Sequence, residues 1–163
     1  MILVLAGTQD RQFTRLLALV DAAKQAGIIT EEVIAQSGHT SYQPLSKDFT
    51  LIPFVEKETY LQLLKDARLV VSHGGVASLA ECLQAHKITI AVPRLKQFGE
   101  HQNDHQLEIV NKYAAEGHII AYTHGEDFSV CLNKAERFAP TPYVSTSAAV
   151  LDAVRSYIEG TDA

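Results

Sequence analysis

The sequence predicts an α/β protein built on a doubly wound, mostly parallel sheet. Short β-branched runs alternate with longer amphipathic runs along nearly the whole chain, the pattern of repeated strand–helix units. The short runs are apolar almost throughout, as strands are when helices cover both faces of a sheet. Glycines and polar residues gather just after several of these runs, and sheets of this kind bind ligands beyond the carboxyl ends of their strands. The expected architecture is therefore Rossmann-like.

The elements follow in order. A strand at Ile2–Ala6 ends in Gly7-Thr8-Gln9. A helix at Phe13–Ala26 comes next, with Leu16, Leu17, Val20 and Ala23 recurring at the helical period. A strand at Glu32–Gln36 ends in Ser37-Gly38-His39, and one at Phe49–Ile52 runs into Pro53-Phe54-Val55 and a helix at Lys57–Ala67. A strand at Leu69–Ser72 meets His73-Gly74-Gly75 and a helix at Val76–Ala85. A strand at Thr89–Val92 reaches Pro93-Arg94, then a polar loop and a helix at Gln102–Glu116. A strand at Ile119–Tyr122 precedes helices at Phe128–Phe138 and at Ser147–Glu159. Short strands joined through helices imply right-handed crossovers within one sheet.

A length of 163 residues implies a single domain over 1–163, and 47% hydrophobic residues suffice for a real core. The net charge of −5 argues against nonspecific nucleic-acid binding, which needs a basic face. Cys82 and Cys131 form no CxxC pair and sit in apolar runs, which reads as two buried thiols in a reducing, cytoplasmic setting. The opening MILVLAGTQD lacks the basic start and long apolar stretch of a signal peptide. No run approaches the roughly 18 apolar residues of a membrane span, so any membrane association is expected through a partner or a surface patch.

The stretch VVSHGGVASLAE, residues 70–81, carries the chemistry. The first amides of a helix lack internal partners, and the helix dipole makes that end partly positive. Glycines there let a phosphate approach the backbone. Gly74, Gly75 and Val76 are the expected amide donors, with His73 adding a hydrogen bond or, if protonated, a charge. Ser78 and Glu81 share a helix face, and a carboxylate at Glu81 suits the two vicinal hydroxyls of a ribose. The competing reading is a tight turn followed by a solvated helix. The GxGxxG and GxxxxGK[ST] phosphate motifs are absent. Residues 93–106, PRLKQFGEHQNDHQ, crowd Arg94, Lys96, Glu100, His101, Gln102, Asn103, Asp104 and His105 into one loop, a density suited to a sugar. His101 and His105 are four apart, but the HExxH glutamate and a third ligand are lacking, so no metal site is expected.

HGGVASLAE, followed by KITIAVPR and GEHQNDHQ, resembles the C-terminal, nucleotide-sugar-binding domain of glycosyltransferase family 28. The start AGTQDRQFTRLLALVD is similar to the split members of that family. These include the catalytic subunit of the dolichol-linked N-acetylglucosamine transferase and the small subunits of bacterial capsule and exopolysaccharide transferases. The resemblance implies a half-domain of the GT-B architecture that binds a uridine-diphosphate sugar without a bound metal or other cofactor. It implies that Gly7 and Thr8 face the diphosphate and acceptor cleft, that Phe54 and Val55 read the uracil, and that Glu81 holds the ribose. It places His73, Gly74, Gly75 and Ser78 at the diphosphate, and Glu100, His101, Gln102 and Asp104 at the donor sugar. The family's Gly-Lys-x-Pro is replaced by His86-Lys87-Ile88-Thr89.

The resemblance further implies an inverting transfer in polysaccharide biosynthesis, with His73 and Arg94 stabilising the departing diphosphate. The acceptor side of full-length members lies in another domain. The expected partner is therefore a membrane-anchored subunit presenting a polyprenyl-linked acceptor, with this chain peripheral to the inner face of the membrane. The helix at 147–159 is a candidate docking element, or packs on its own sheet. Homo-oligomers are a further expectation for the isolated chain. Two alternatives stay open: a non-catalytic subunit that binds a nucleotide sugar, and a generic nucleotide-binding module. An epimerase of the same architecture needs both domains in one chain.

Overall fold

The computed structural model describes residues 1–144, and the helix expected at 147–159 lies outside them. Six strands form one sheet: β1 (Ile2–Leu5), β2 (Val33–Gln36), β3 (Phe49–Ile52), β4 (Leu69–His73), β5 (Ile88–Val92) and β6 (Ile120–Ala121). Their order is β3-β2-β1-β4-β5-β6, and every pairing is parallel. Leu3 of β1 lies opposite Ile34 on one side and Val70 on the other. The chain winds outward from β1 to β3, then crosses back to start again at β4. The carboxyl ends of β1 and β4 therefore flank the point where winding reverses, and a crevice opens there.

The helices are α1 (Thr14–Gln25), α2 (Lys57–Asp66), α3 (Val76–Gln84), α4 (His105–Ala115) and α5 (Phe128–Ala135). Side chains alternate across a strand, and the core divides accordingly. Val4, Val71 and Ile90 pack with Phe13, Leu16, Leu17 and Val20 from the α1 region and with Phe128 and Leu132 of α5. Leu3, Leu5 and Val70 turn to the opposite face, against Leu64 of α2 and Cys82 of α3. Leu79 and Leu83 of α3 meet Val110 of α4 and Ile119 on that same side. Each such fully buried aliphatic or aromatic side chain contributes about 1.5–3 kcal/mol. Both cysteines are buried free thiols.

The long connection from β2 to β3 is held by one carboxylate. Asp21, buried on α1, accepts hydrogen bonds from Tyr42 Oη at 2.8 Å, Leu45 N at 2.8 Å and Ser46 N at 3.1 Å. Burial alone would raise its pKa, but the hydrogen bonds together outweigh it and hold the carboxyl below its ordinary value.

Many element ends differ from expectation by a residue, and two helix ends differ by three: α5 stops at Ala135 rather than Phe138, and α4 starts late. The helix expected from Gln102 begins at His105, because Asn103 Oδ1 accepts from His105 N and Asp104 Oδ1 accepts from Lys96 N. These short polar side chains give the backbone local alternatives to a helix. A single 3₁₀ turn at Lys96–Phe98, closed by Gly99 in the left-handed region, also interrupts the loop after β5.

Candidate functional site

A cleft of roughly 520 Å³ opens at the carboxyl ends of β1 and β4. Gly7, Thr8, His73, Gly75, Val76, Ser78, Phe54, Val55 and Glu81 line it. Nine of the expected site residues thus converge from three separate stretches of chain. Leu5, Gln9, Gln36, Lys57, Tyr60 and Ala77 complete the wall.

The His-Gly-Gly turn is organised differently from the simplest expectation. The Gly74 amide donates to Gln106 Oε1 at 3.0 Å, and the Gly75 amide donates to His73 Nδ1 at 3.0 Å. Neither amide is therefore free for a ligand. The open donors lie one step on. α3 starts at Val76 with Gly75 as a cap residue that offers no side-chain acceptor. The first helical amides, those of Val76, Ala77 and Ser78, are left for the cleft, at the positive end of the helix dipole. Space explains the glycines. A Cβ on Gly75 would stand 2.2 Å from His73 Cε1, and one on Gly74 would stand 2.8 Å from Val110 Cγ2.

His73 is neutral. Burial first, with the charge of Arg94 and a smaller push from His101, lowers its pKa to about 4 against the opposing hydrogen bond from Gln106. Its Nε2 lies 3.1 Å from Ser78 Oγ. The site's positive character therefore comes from backbone amides rather than from an imidazolium.

Elsewhere in the cleft wall, Tyr60 Oη donates to Glu81 Oε2 at 2.8 Å. This leaves Oε1 of Glu81 without a partner among the described residues and fixes the carboxylate against the cleft wall. Burial first, then the Glu81 carboxylate, pushes the Tyr60 phenol well above its ordinary range, so it stays a donor. Phe54 is half exposed and meets His39 edge-on at 5.1 Å between ring centroids. That leaves an apolar ring surface over the cleft.

Arg94 does not face the cleft, which corrects its expected role at the diphosphate. It is fully buried: Nη1 donates to Arg11 O and Glu100 O, and Nη2 donates to Ala6 O at 2.8 Å. The guanidinium lies over the Phe13 ring at 4.7 Å. It ties the loop after β1 to the loop after β5. Glu100 is likewise turned inward. Its carboxylate takes Arg15 Nε at 2.9 Å, Arg15 Nη2 at 2.8 Å and Leu95 N at 3.0 Å. Both oxygens are engaged, so Glu100 holds the loop rather than a sugar.

His101 and Gln102 line a shallow hollow beside the cleft, with Gln9 reaching between the two at 3.3 Å from His101 Nε2. Asp104 lies at a third hollow, beyond Pro93. His105 turns to Glu108 at 3.3 Å rather than to His101. Among the described residues no three His, Cys, Asp or Glu side chains come together as a metal-ligand group.

Tyr60, Lys57 and Gln106 are functional candidates that the sequence reading passes over. Tyr60 reads as one more apolar residue of an amphipathic helix. Gln106 had a visible signal: it occupies a core phase of α4, four residues before the buried Val110.

Two solved structures are similar in fold. The glycotransferase of kitacinnamycin superposes with a TM-score of 0.61 at 13% identity, over 83% of this chain and 34% of that one. The glycosyltransferase SnogD from Streptomyces nogalater gives a TM-score of 0.50 at 14% identity, over 94% of this chain and 42% of that one. The chain thus spans well under half the length of either, and its six-stranded parallel sheet matches the C-terminal half of the GT-B architecture. No curated protein matches the chain. Residues 1–159 match the model of the glycosyltransferase family 28 C-terminal domain, and on that match the chain belongs to this family.

Proposed function

We propose that the chain is the donor-binding catalytic subunit of a two-component inverting glycosyltransferase. It moves a sugar from a uridine-diphosphate donor to a polyprenyl-linked acceptor carried by a membrane-anchored partner, in polysaccharide biosynthesis. The observation that carries this reading is the composition of the cleft lining. Uncapped amides, the Ser78 hydroxyl, the Glu81 carboxylate and the Phe54 ring all line it. A diphosphate fits the amides and the hydroxyl, a ribose spans to Glu81, and a base rests on Phe54 beside the backbone of Val55.

In the transfer, the acceptor oxygen bonds to the anomeric carbon as the carbon–phosphate oxygen bond breaks. The electron pair leaves with the diphosphate, and the acceptor's proton passes to a base. Amides of Val76, Ala77 and Ser78 meet the charge growing on the diphosphate, already oriented before reaction. Among the described residues of the cleft, neither His73 nor Glu81 is placed as that base. His73 has its acceptor nitrogen occupied by the Gly75 amide, and Glu81 is committed to the ribose. This supports a partner that brings the base together with the acceptor. Among the described residues no helix is long and apolar enough to cross a membrane, so the partner is also the proposed membrane link.

Calorimetric titration with uridine diphosphate, with and without magnesium, tests the donor site. We expect metal-independent binding that prefers uridine to adenosine. Glu81→Ala should weaken it about tenfold or more, the scale of a lost charge-assisted hydrogen bond pair. Tyr60→Phe should weaken uridine diphosphate about threefold and its 2′-deoxy analogue less, since Tyr60 acts through the carboxylate that holds the hydroxyls. Undiminished binding by Glu81→Ala would place the ribose elsewhere.

A further inference from the structure

Gln106 is buried in the first turns of α4, 5% exposed, behind the His-Gly-Gly turn and outside the cleft lining. Its Oε1 accepts from the Gly74 amide at 3.0 Å and from the Arg94 amide at 3.1 Å. Backbone amides only donate, so these two partners set which way the side-chain amide points. Oε1 must face them, and Nε2 is left as a donor. Nε2 lies 3.4 Å from His73 Nδ1, and the Gly75 amide donates to the same nitrogen at 3.0 Å. A nitrogen facing two donors carries no proton. A neutral His73 therefore has its one proton on Nε2, which lies 3.1 Å from Ser78 Oγ. The hydroxyl accepts that proton and keeps its own free for another partner. Ser78 lines the cleft beside the open amides of Val76 and Ala77.

We propose that Gln106 is a positioning residue that fixes the polarity of a Gln106–His73–Ser78 hydrogen-bond chain, holding the Ser78 hydroxyl as a donor toward an anionic oxygen in the cleft. The inference rests on the donor-site reading only for the identity of that oxygen, a diphosphate. The chain runs one way at every link. It makes the hydroxyl equivalent to a fourth helix-terminal donor, and it bars His73 from acting as a base toward Ser78. The same Oε1 joins the turn after β4 to the start of the loop after β5, so a single side chain sets both the spacing of these loops and the direction of the proton.

Nitrogen NMR of ¹⁵N-histidine-labelled protein reads the tautomer without any ligand. The expected spectrum has His73 protonated at Nε2 and bare at Nδ1 at neutral pH; a proton on Nδ1 overturns the proposal. Uridine diphosphate titrations of Ser78→Ala, Gln106→Met and the double variant read the coupling. Ser78→Ala should weaken binding about tenfold in the wild-type background and less than about threefold in Gln106→Met, where the hydroxyl is no longer oriented. Equal losses in both backgrounds overturn the proposal. If Gln106→Met fails to fold, proton exchange of the Gln106 side-chain amide in the unsubstituted protein decides, since exchange at the rate of a free glutamine overturns it. Absence of uridine diphosphate binding in the wild type would remove the donor reading, while the tautomer and the exchange rate would still decide the polarity of the chain.

Discussion

His73 is held neutral by its surroundings, and that has a consequence for stability. Burial is the main cause, the Arg94 charge the next, and together they take its pKa from an ordinary 6.5 to about 4. Between those values the unfolded chain binds a proton that the folded chain refuses. The stability linked to this group is thus complete above pH 6.5 and is lost as pH falls toward 4, about 3 kcal/mol in all. Denaturant titrations at pH 7 and pH 4.5 should show this loss in the wild type. In His73→Gln, which keeps a donor near the Nε2 position and cannot titrate, the loss between the two pH values should shrink by about 2 kcal/mol. Equal losses in both proteins would mean that His73 titrates normally. The residues of this turn were legible in the sequence because the chemistry of a strand–helix junction is local. Tyr60 was not, and Gln106 showed only as a polar residue at a core phase, since their partners lie 21 and 33 residues away. Arg94 misled for a related reason: a lone arginine after a strand looks the same whether it faces a ligand or, as here, a set of carbonyls.

Helix ends show the same division between local and distant causes. The departure from the family pattern at His86 falls where α3 stops. His86 has a φ of 55°, its amide donates to Leu83 O, and the Lys87 amide donates to Cys82 O. That pair of bonds is the Schellman closure, whose left-handed residue is usually glycine. The family's glycine has a physical reason at this site, and the histidine carries a strain of about 1 kcal/mol. His86→Gly should therefore stabilise the protein by about 1 kcal/mol and raise its melting temperature by about 2–4 °C in circular-dichroism melts. A neutral or destabilising result would show that the His86 side chain offsets the strain through contacts of its own. Strands proved the most legible elements, because apolar β-branched runs report burial on both faces directly. The expected last strand, Ile119–Tyr122, keeps only Ile120 and Ala121 paired. Among the described residues it is an edge strand, and no local pattern records where its pairing with β5 ends.

At the scale of the whole molecule, the sheet order puts all the donor-side groups on one rim and leaves the opposite side of the cleft to whatever meets that rim. That the site lies beyond the carboxyl ends of the strands was readable from the alternation of elements; the strand order, and with it the switch between β1 and β4, was not. What the cleft lacks was not readable. A transfer needs an oriented acceptor and a base as well as a stabilised leaving group, and in the proposed reading the described residues of the cleft serve only the last of these. Stabilising the diphosphate without a nucleophile in place lowers no barrier to transfer, because the gain appears only when the new bond forms as the old one breaks. The isolated chain should therefore bind a uridine-diphosphate sugar with a saturable signal and yet release uridine diphosphate from it no faster than buffer does. Turnover should appear when membranes carrying the acceptor subunit are added, and Ser78→Ala should then lower the maximal rate about tenfold, since removing one donor to the developing charge removes stabilisation that grows toward the transition state. A coupled assay of uridine diphosphate release, run beside the binding titration, checks both halves. Release by the isolated chain well above background would mean that a base in this cleft has gone unrecognised, and the first residue to reconsider would be Glu81.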